Sequence, residues 1–568
     1  MNSIAPFLIF YIGALAAGLT RGPVRSAVML AVPLIGAYNV YTLTPDVGIS
    51  FAIFDYTLDL VAVDRLSTLF GYLFHLAAFL AVIFSLHVKD TGQHVSGMLY
   101  AGSALGAVYA GDMITLFLFW EMLAVTSAYL VLAGNTKRAQ GAAMRYLLVQ
   151  VLSGVMLLAG VLIRFHVTDT TAFGPIGLGD PATLGGFGTW LIFIAFGIKC
   201  AFPLLHNWLT DAYPESTPTG TVFLSAFTTK VAVYALARSY AGTEILVYIG
   251  ATMAMFPIFF AVIENDLRRV LGYSLINQVG FMVVGIGIGT NLAINGAISH
   301  AFNDVIFKGL LFMSMGAVLY RTGKMNGSDL GGLYRSMPKT TVLCIVGAAS
   351  ISAFPLFSGF VSKSMVMVAA LEEGHTTVWL ALLFASAGVF HHAGIKIPFF
   401  AFFAHDSGIR CKEAPTNMLI AMTLAAIICI FNGSYPWVLY SMLPFPVDYA
   451  PYTAAHVLTQ SQLLFFSALA FCVLKLTGLY PPELPGINID AEWSYRRFLP
   501  RTTAWLVRTF APVDRAIRQG FLGKVGSIIN AVFQYTSPKG ALARTITAGN
   551  MVFWAITMLV VYLVMYLI

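Results

Sequence analysis

Apolar runs of bilayer length follow one another almost from end to end of this 568-residue chain. A helix needs about 20 mainly apolar residues to cross the hydrocarbon core. Segments that meet this rule begin near residues 4, 25, 66, 95, 113, 142, 188, 219, 244, 269, 292, 339, 377, 416, 457 and 549. In lipid every backbone amide must be paired within the chain, which leaves helices as the spanning element. The expected fold is therefore all-α, a polytopic membrane protein of about 16 transmembrane helices. With 58% hydrophobic and 10% charged residues, the composition excludes a soluble domain.

Charge reports topology. The first span has no basic residue before it and Arg21 and Arg25 just after it, the pattern of an uncleaved anchor. Basic residues favour cytoplasmic loops. An outside N-terminus puts Arg21, Arg25, Lys89, Lys137, Arg138, Arg268, Arg269, Arg321, Lys324, Arg335, Lys339, Arg410 and Lys412 inside, together with a basic stretch from Arg496 to Arg544. The opposite loops carry little beyond Arg65 and Arg164. The net charge of +7 follows from this bias and implies no nucleic-acid partner. Cys200, Cys344, Cys411, Cys429 and Cys472 lack metal-ligand spacing and read as packing residues. The basic stretch mixes its cations with Trp493, Trp505, Phe510, Phe521 and Phe533, as a segment lying in the membrane interface or along neighbouring subunits does. Pro500, Pro512 and Pro538 argue against a single unbroken helix there, and a partly ordered linker is the alternative.

Lys199 and Lys230 fall in consecutive spans, as do Lys363 and Lys396. The first span of each pair is interrupted by proline and glycine, in GIKCAFP and in SAFPLFSGFVSK. An odd number of spans separates the pairs, so two five-helix repeats of inverted sense with discontinuous helices are expected. The chain then divides into N-terminal helices (1–93), a first repeat (94–240), a second repeat (241–405), C-terminal core helices (406–480), a basic amphipathic segment (481–548) and a terminal anchor (549–568).

An ionised side chain at the bilayer centre costs about 2.5–3.5 kcal/mol on insertion scales, so such residues need partners or water and mark function. The candidates are Glu121, Lys199, Lys230, His300, Asp304, Lys308 and Lys363, with His206, Lys396, His391 and His392 secondary. HAFNDVIFK places His300, Asp304 and Lys308 on one helix face, a base, an acid and an ammonium in one stripe fit for a proton relay. The bland alternative makes each charge half of a buried pair that only orients helices; its weight falls as such charges multiply over separate spans. Lys475 lies at a span end and can snorkel. Asp112 and Asp211 are scattered carboxylates that compose no sodium site. No phosphate-binding glycine loop, nucleophile–base pair or redox ligand set is found, so neither bond chemistry nor a cofactor or metal is expected.

Six ordered segments, FWEMLAVTSAYLV, FGIKCAFPLLHNWLTDAYPESTPTG, TTKVAVYALAR, NDLRRVLGYSLINQVGFM, HAFNDVIFKGLLF and SISAFPLFSGFVSKSM, resemble the antiporter-like subunits shared by respiratory complex I and Mrp-type cation/proton antiporters. The resemblance covers roughly residues 60–430. It implies that Glu121 is the glutamate of the fifth span, Lys199 the lysine of the broken seventh, and Lys230 the lysine of the eighth. His300 and Lys308 fall on the polar stripe of the eleventh, and Lys363 is the lysine of the broken twelfth. Together these form a midplane hydrophilic axis. Asp304 stands where many relatives have a second histidine, and LTDAY and ESTPTG depart from the family's usual loop. The resemblance implies a subunit of a multisubunit complex in a bacterial inner membrane, moving H+ and, in the Mrp D-type reading, Na+. Complex I and hydrogenase-type redox pumps are the alternatives, and a non-conducting scaffold is the rival of another class.

Overall fold

The computed structural model describes residues 4–45, 48–53, 56–486, 488–540 and 547–567; Arg544 lies outside them. The chain separates into two compact units, Met1–Asn488 and Ile489–Ile568.

The first unit opens with α1 (Pro6–Leu19) and α2 (Gly22–Thr42). A two-stranded antiparallel hairpin follows, β1 (Gly48–Ile53) with β2 (Tyr56–Ala62), in register Gly48 opposite Ala62. This hairpin corrects the all-helical expectation locally. Its β-branched and aromatic residues sit in a connection too short to read as a span. α3 (Arg65–Ser85) then starts on a capping box between Asp64 and Ser67.

Two sets of helices follow. The first comprises α4 (Thr91–Tyr109), α5 (Met113–Leu132), α6 (Lys137–Thr168), α7 (Leu184–Cys200), α8 (Asn207–Ala212), α9 (Gly220–Ala226) and α10 (Thr228–Ser239). The second comprises α11 (Ile245–Ile263), α12 (Leu267–Ile288), α13 (Asn291–Thr322), α14 (Pro338–Ile351), α15 (Ser358–Glu372) and α16 (Thr376–Val389), which runs on through π-helical turns at Phe390–Lys396 and Phe399–Phe403. α17 (Thr416–Ser434), α18 (Trp437–Ser441) and α19 (Ala454–Leu476) complete the unit. Among the described residues of the whole chain, 12 helices are long and apolar enough to cross a membrane; α1, α7 and α14 are shorter apolar helices.

Both sets contain a helix broken at the same tetrapeptide. Ala201-Phe202-Pro203-Leu204 separates α7 from α8, and Ala353-Phe354-Pro355-Leu356 separates α14 from α15. In each copy the alanine and the leucine take positive φ, 63° and 69° in the first, 58° and 73° in the second. Left-handed backbone at non-glycine residues costs of order 1–3 kcal/mol each, so its recurrence marks a shared device. This tetrapeptide also corrects the repeat register. Lys199 precedes its break and Lys363 follows the other, so the two lysines are not equivalent positions.

α12 and α13 are buried on nearly every side and form the centre of the unit. α11 approaches α12 through Gly250 and Gly280, where a Cβ on either would strike the other helix's backbone. Asp112, read from sequence as a loose carboxylate, is an N-cap. It accepts from Ile114 N and Thr115 N at 2.8 Å each, and from Asp59 N of the hairpin at 2.8 Å.

The second unit contains a π-helical turn (Ser494–Phe498), α20 (Leu499–Thr536) and α21 (Ala548–Leu567). α20 is continuous over 38 residues, which corrects the expectation of a break. Pro500 sits in the first turn, where no amide bond is lost, and Pro538 lies past the end. Pro512 is interior, and on an exposed helix the carbonyl it frees can be solvated.

Candidate functional site

Every ionisable residue singled out from the sequence lies in the first unit, and most are fully buried. Lys199 ends α7, where the break removes the next turn. Its ammonium donates to Trp120 O of α5 at 2.5 Å and sits 4.7 Å from the centre of the Trp120 ring. The indole in turn donates to Ser153 Oγ of α6 at 2.9 Å, and Ser153 donates back to Ala195 O of α7 at 2.7 Å. Three helices thus hold one lysine. Glu121 is the next residue on α5 and is in Coulomb reach of Lys199. Its carboxylate lies against Gly154 of α6, where an added Cβ would overlap Oε1. That oxygen is buried without a hydrogen-bond partner among the described residues.

Lys230 of α10 and Asp304 of α13 form an ion pair at 2.5 Å with neither side chain exposed. One turn further along α13, Lys308 donates to Ser274 Oγ of α12 at 2.6 Å. One turn before Asp304, His300 meets Ser362 Oγ through Nδ1 at 3.0 Å and Gln278 Oε1 through Nε2 at 3.1 Å. Gln278 is oriented by donating to Asn277 Oδ1 at 2.6 Å. Lys363 of α15 donates to Ile351 O at 3.1 Å, a carbonyl released by the break, and lies 5.0 Å from the centre of the Phe281 ring. In the first break another carbonyl, Ile198 O, accepts from the Trp208 indole at 2.8 Å.

The π-helical turn after α16 presents His391, His392 and Lys396. His392 is buried within Coulomb reach of Lys308 and Lys396. His391 packs on Phe471 and Tyr480, ring centres 5.4 and 5.5 Å away. Lys396 donates to Ala261 O, Val262 O and Glu264 O at 3.2, 2.6 and 2.6 Å and pairs with Glu483 at 3.0 Å. It therefore caps the C-terminal end of α11, where carbonyls are left over and positive charge is favoured. His206 sits in the first break, 2% exposed, its ring 4.7 Å from that of Phe256.

Electrostatic neighbours join these groups into two sets. Glu121 acts on Lys199, and Lys230 lies near Cys200, the residue after Lys199. Lys230, Asp304, His300, Lys308 and Lys363 act on one another. His392 then links Lys308 to Lys396, and Lys396 to Glu483. Buried polar side chains in low dielectric interact strongly over such intervals, and amines, imidazole and carboxylates can all exchange protons.

Arg268 reads by its charge as a cytoplasmic loop residue. It is 1% exposed instead, near the start of α12. Its guanidinium donates to Pro214 O and Ser216 O at 3.0 and 2.9 Å, to Tyr213 O and Thr217 O at 3.3 and 3.2 Å, and to Thr221 Oγ1. The connection between α8 and α9 is thereby clamped. Arg145 of α6 adds a two-point contact to Asp211 of α8, at 2.7 and 3.1 Å.

Sequence reading missed Trp120, Ser153, Ser274, Gln278, Ser362 and Glu483. The Asn277-Gln278 pair was visible as two amides inside an apolar run. The serines and Trp120 carry no distinguishing signal, and Glu483 lies in a loop.

Residues 110–389 match the family model described as NADH:quinone oxidoreductase/Mrp antiporter, TM. The chain is 28% identical over 441 residues to the A-type subunit of the Na(+)/H(+) antiporter of Alkalihalophilus pseudofirmus, covering 70% of this chain and 54% of that protein. To the D-type subunit of the antiporter from the same organism it is 28% identical over 338 residues, 57% of this chain and 67% of that one. With hydrogenase-4 component B of Escherichia coli it shares 24% over 477 residues, 74% and 70% of the two chains. The match thus spans about half the length of the A-type protein and about two thirds of the others. Among solved structures, a chain of the Mrp complex from Dietzia sp. DQ12-45-1b superposes with a TM-score of 0.69 at 20% identity, over 82% of this chain and 98% of that one. A chain of the archaeal membrane-bound sulfane sulfur reductase does so with 0.71 at 22% identity, over 98% and 99%.

Proposed function

Because the chain belongs to the family of antiporter-like membrane subunits common to Mrp-type antiporters and respiratory complex I, we propose that it is the ion-translocating subunit of a multisubunit membrane assembly. The observation that carries this reading is the run of mostly buried ionisable groups from Glu121 to Glu483, in two electrostatically connected sets, Glu121 with Lys199, and Lys230 through to Glu483. Protons move along Glu121, Lys199, Lys230, Asp304, His300, Lys308 and Lys363, with His206, His392 and Lys396 as flanking groups. Water completes the hydrogen bonds of buried polar atoms that have no protein partner among the described residues, such as those of Gln150 and Asn207. The two broken helices expose carbonyls to side-chain donors, Ile351 O to the Lys363 ammonium and Ile198 O to the Trp208 indole.

In this reading the subunit is of the Mrp D type, and proton entry is exchanged for Na+ or another monovalent cation. The driving force is the membrane potential and ion gradients, about 2.3 kcal/mol per charge per 100 mV. The assembly sits in a bacterial inner membrane with the N-terminus outside and residues 481–548 cytoplasmic. The alignment to hydrogenase-4 component B reaches further along this chain than those to the two Alkalihalophilus antiporter proteins, and it favours a second reading, a proton pump driven by a redox partner. Everted vesicles holding the complete assembly separate the two. Proton movement that requires sodium supports antiport. Proton movement indifferent to sodium but dependent on an electron donor supports the pump. Neither flux, with the assembly intact, returns the chain to a scaffold.

A further inference from the structure

A cavity of about 590 Å³ opens between the ends of α2, α3 and α4, away from the buried ionisable groups. Arg21, Arg25, His87, Lys89 and His94 line it, with Met29 on its apolar side. Arg25 is 9% exposed and is fixed in place by Thr20 O, which accepts from Nε at 2.9 Å and from the guanidinium NH2 at 2.7 Å. His94 is likewise fixed, with Nε2 2.8 Å from Val88 O, and His87 meets the Asn417 side chain at 3.1 Å. Arg21 and Lys89 stand at the exposed rim. Asp90, the carboxylate that acts on His94, is occupied in capping α4, accepting from Gly92 N at 2.9 Å and Gln93 Nε2 at 3.1 Å.

Three permanent cations therefore converge on one cavity whose lining, among the described residues, includes no carboxylate. The apolar surface next to the rim is exposed as well: Leu15, Leu19 and Val24 are 65%, 79% and 60% accessible. A pocket with cations at its mouth and hydrocarbon beside it matches an amphiphile with an anionic head. We propose that this cavity binds the phosphodiester headgroup of an anionic glycerophospholipid, with Arg25 as the fixed contact, Arg21 and Lys89 closing over the phosphate, and the acyl chains lying along α1 and α2. Guanidinium forks suit phosphate oxygens in a way a point charge does not, which gives Arg25 the anchoring role. This site does not depend on which ion the assembly moves.

Native mass spectrometry of the purified full chain, titrated with phosphatidylglycerol, phosphatidylcholine or inorganic phosphate, tests it. Phosphatidylglycerol is expected to be retained at least ten-fold more tightly than phosphatidylcholine. The double substitution Arg21→Gln/Lys89→Gln, at exposed positions, should bring it down to the phosphatidylcholine level with an unchanged melting profile. Arg25→Lys should weaken retention while keeping the charge. Equal retention of the two lipids by the wild type, or full retention by the double variant, overturns the site. Displacement of phosphatidylglycerol by equimolar inorganic phosphate reduces the site to a free-anion subsite and overturns the lipid assignment.

Discussion

Lys230 and Asp304 meet at 2.5 Å with no exposed surface on either side chain, joining α10 to α13 across the centre of the first unit. Removing one partner of such a pair leaves an uncompensated buried charge, at a cost of about 3–5 kcal/mol. Asp304→Ala is therefore expected to lower the melting temperature of the purified protein clearly. Lys230→Met/Asp304→Leu together should cost much less, since no charge is stranded. Both variants should lose ion flux. Equal melting temperatures for Asp304→Ala and wild type would show that the pair is not formed.

Gly154 leaves room for the Glu121 carboxylate. Gly154→Ala places a methyl group where Oε1 lies, so the carboxylate must leave its present position beside α6. The expected result is a loss of flux of ten-fold or more, about 1.4 kcal/mol in barrier terms, with the protein still present in the membrane. Flux at the wild-type level would mean that Glu121 has another position available.

Arg268 ties the connection between α8 and α9 to α12 through five acceptors. Hydrogen bonds to a charged group contribute about 1.5–3 kcal/mol each when fully formed. Arg268→Ala should expose residues 213–221 to protease while the rest of the chain stays resistant. Arg268→Lys should rescue little, because an ammonium cannot reach acceptors arranged around a planar fork.

Glu483 lies in the loop after α19, and burial raises its pKa above the ordinary carboxylate value despite the neighbouring Lys396. A carboxylate raised in the folded state contributes most below its unfolded pKa, and that contribution is lost as pH rises through the folded value. Hydrogen exchange over residues 477–486, corrected for intrinsic rates, should therefore increase with pH above the usual carboxylate range. Glu483→Gln should flatten that increase; an unchanged pH profile in the variant would assign it to another group.

The ionisable residues were legible because a charge inside an apolar run has few innocent readings, and the structure buries Lys199, Lys230, His300, Asp304, Lys308 and Lys363 together in one unit. What surrounds them was not legible. Ser274 and Ser362 are ordinary residues whose role depends on which helices touch, and Glu483 reaches Lys396 from a distant loop. Arg268 misled because loop charge and buried clamp look alike in one dimension. The interruption at each broken helix was visible from its proline, yet the repeat register was not. The matching positive φ values at Ala201, Leu204, Ala353 and Leu356 show that the repeated alanine-to-leucine tetrapeptide, and not the lysines, aligns the two breaks. Pro512 failed as a breaker because an exposed helix can solvate the carbonyl it frees.

The most direct test of the account is proton flux into everted vesicles carrying the complete assembly, comparing wild type with Lys199→Ala at matched expression. The ammonium held by Trp120 is predicted to be indispensable, so flux should fall to background while the assembly remains intact. Undiminished flux in that variant would contradict the role given to Lys199 and to the buried sequence that begins beside it.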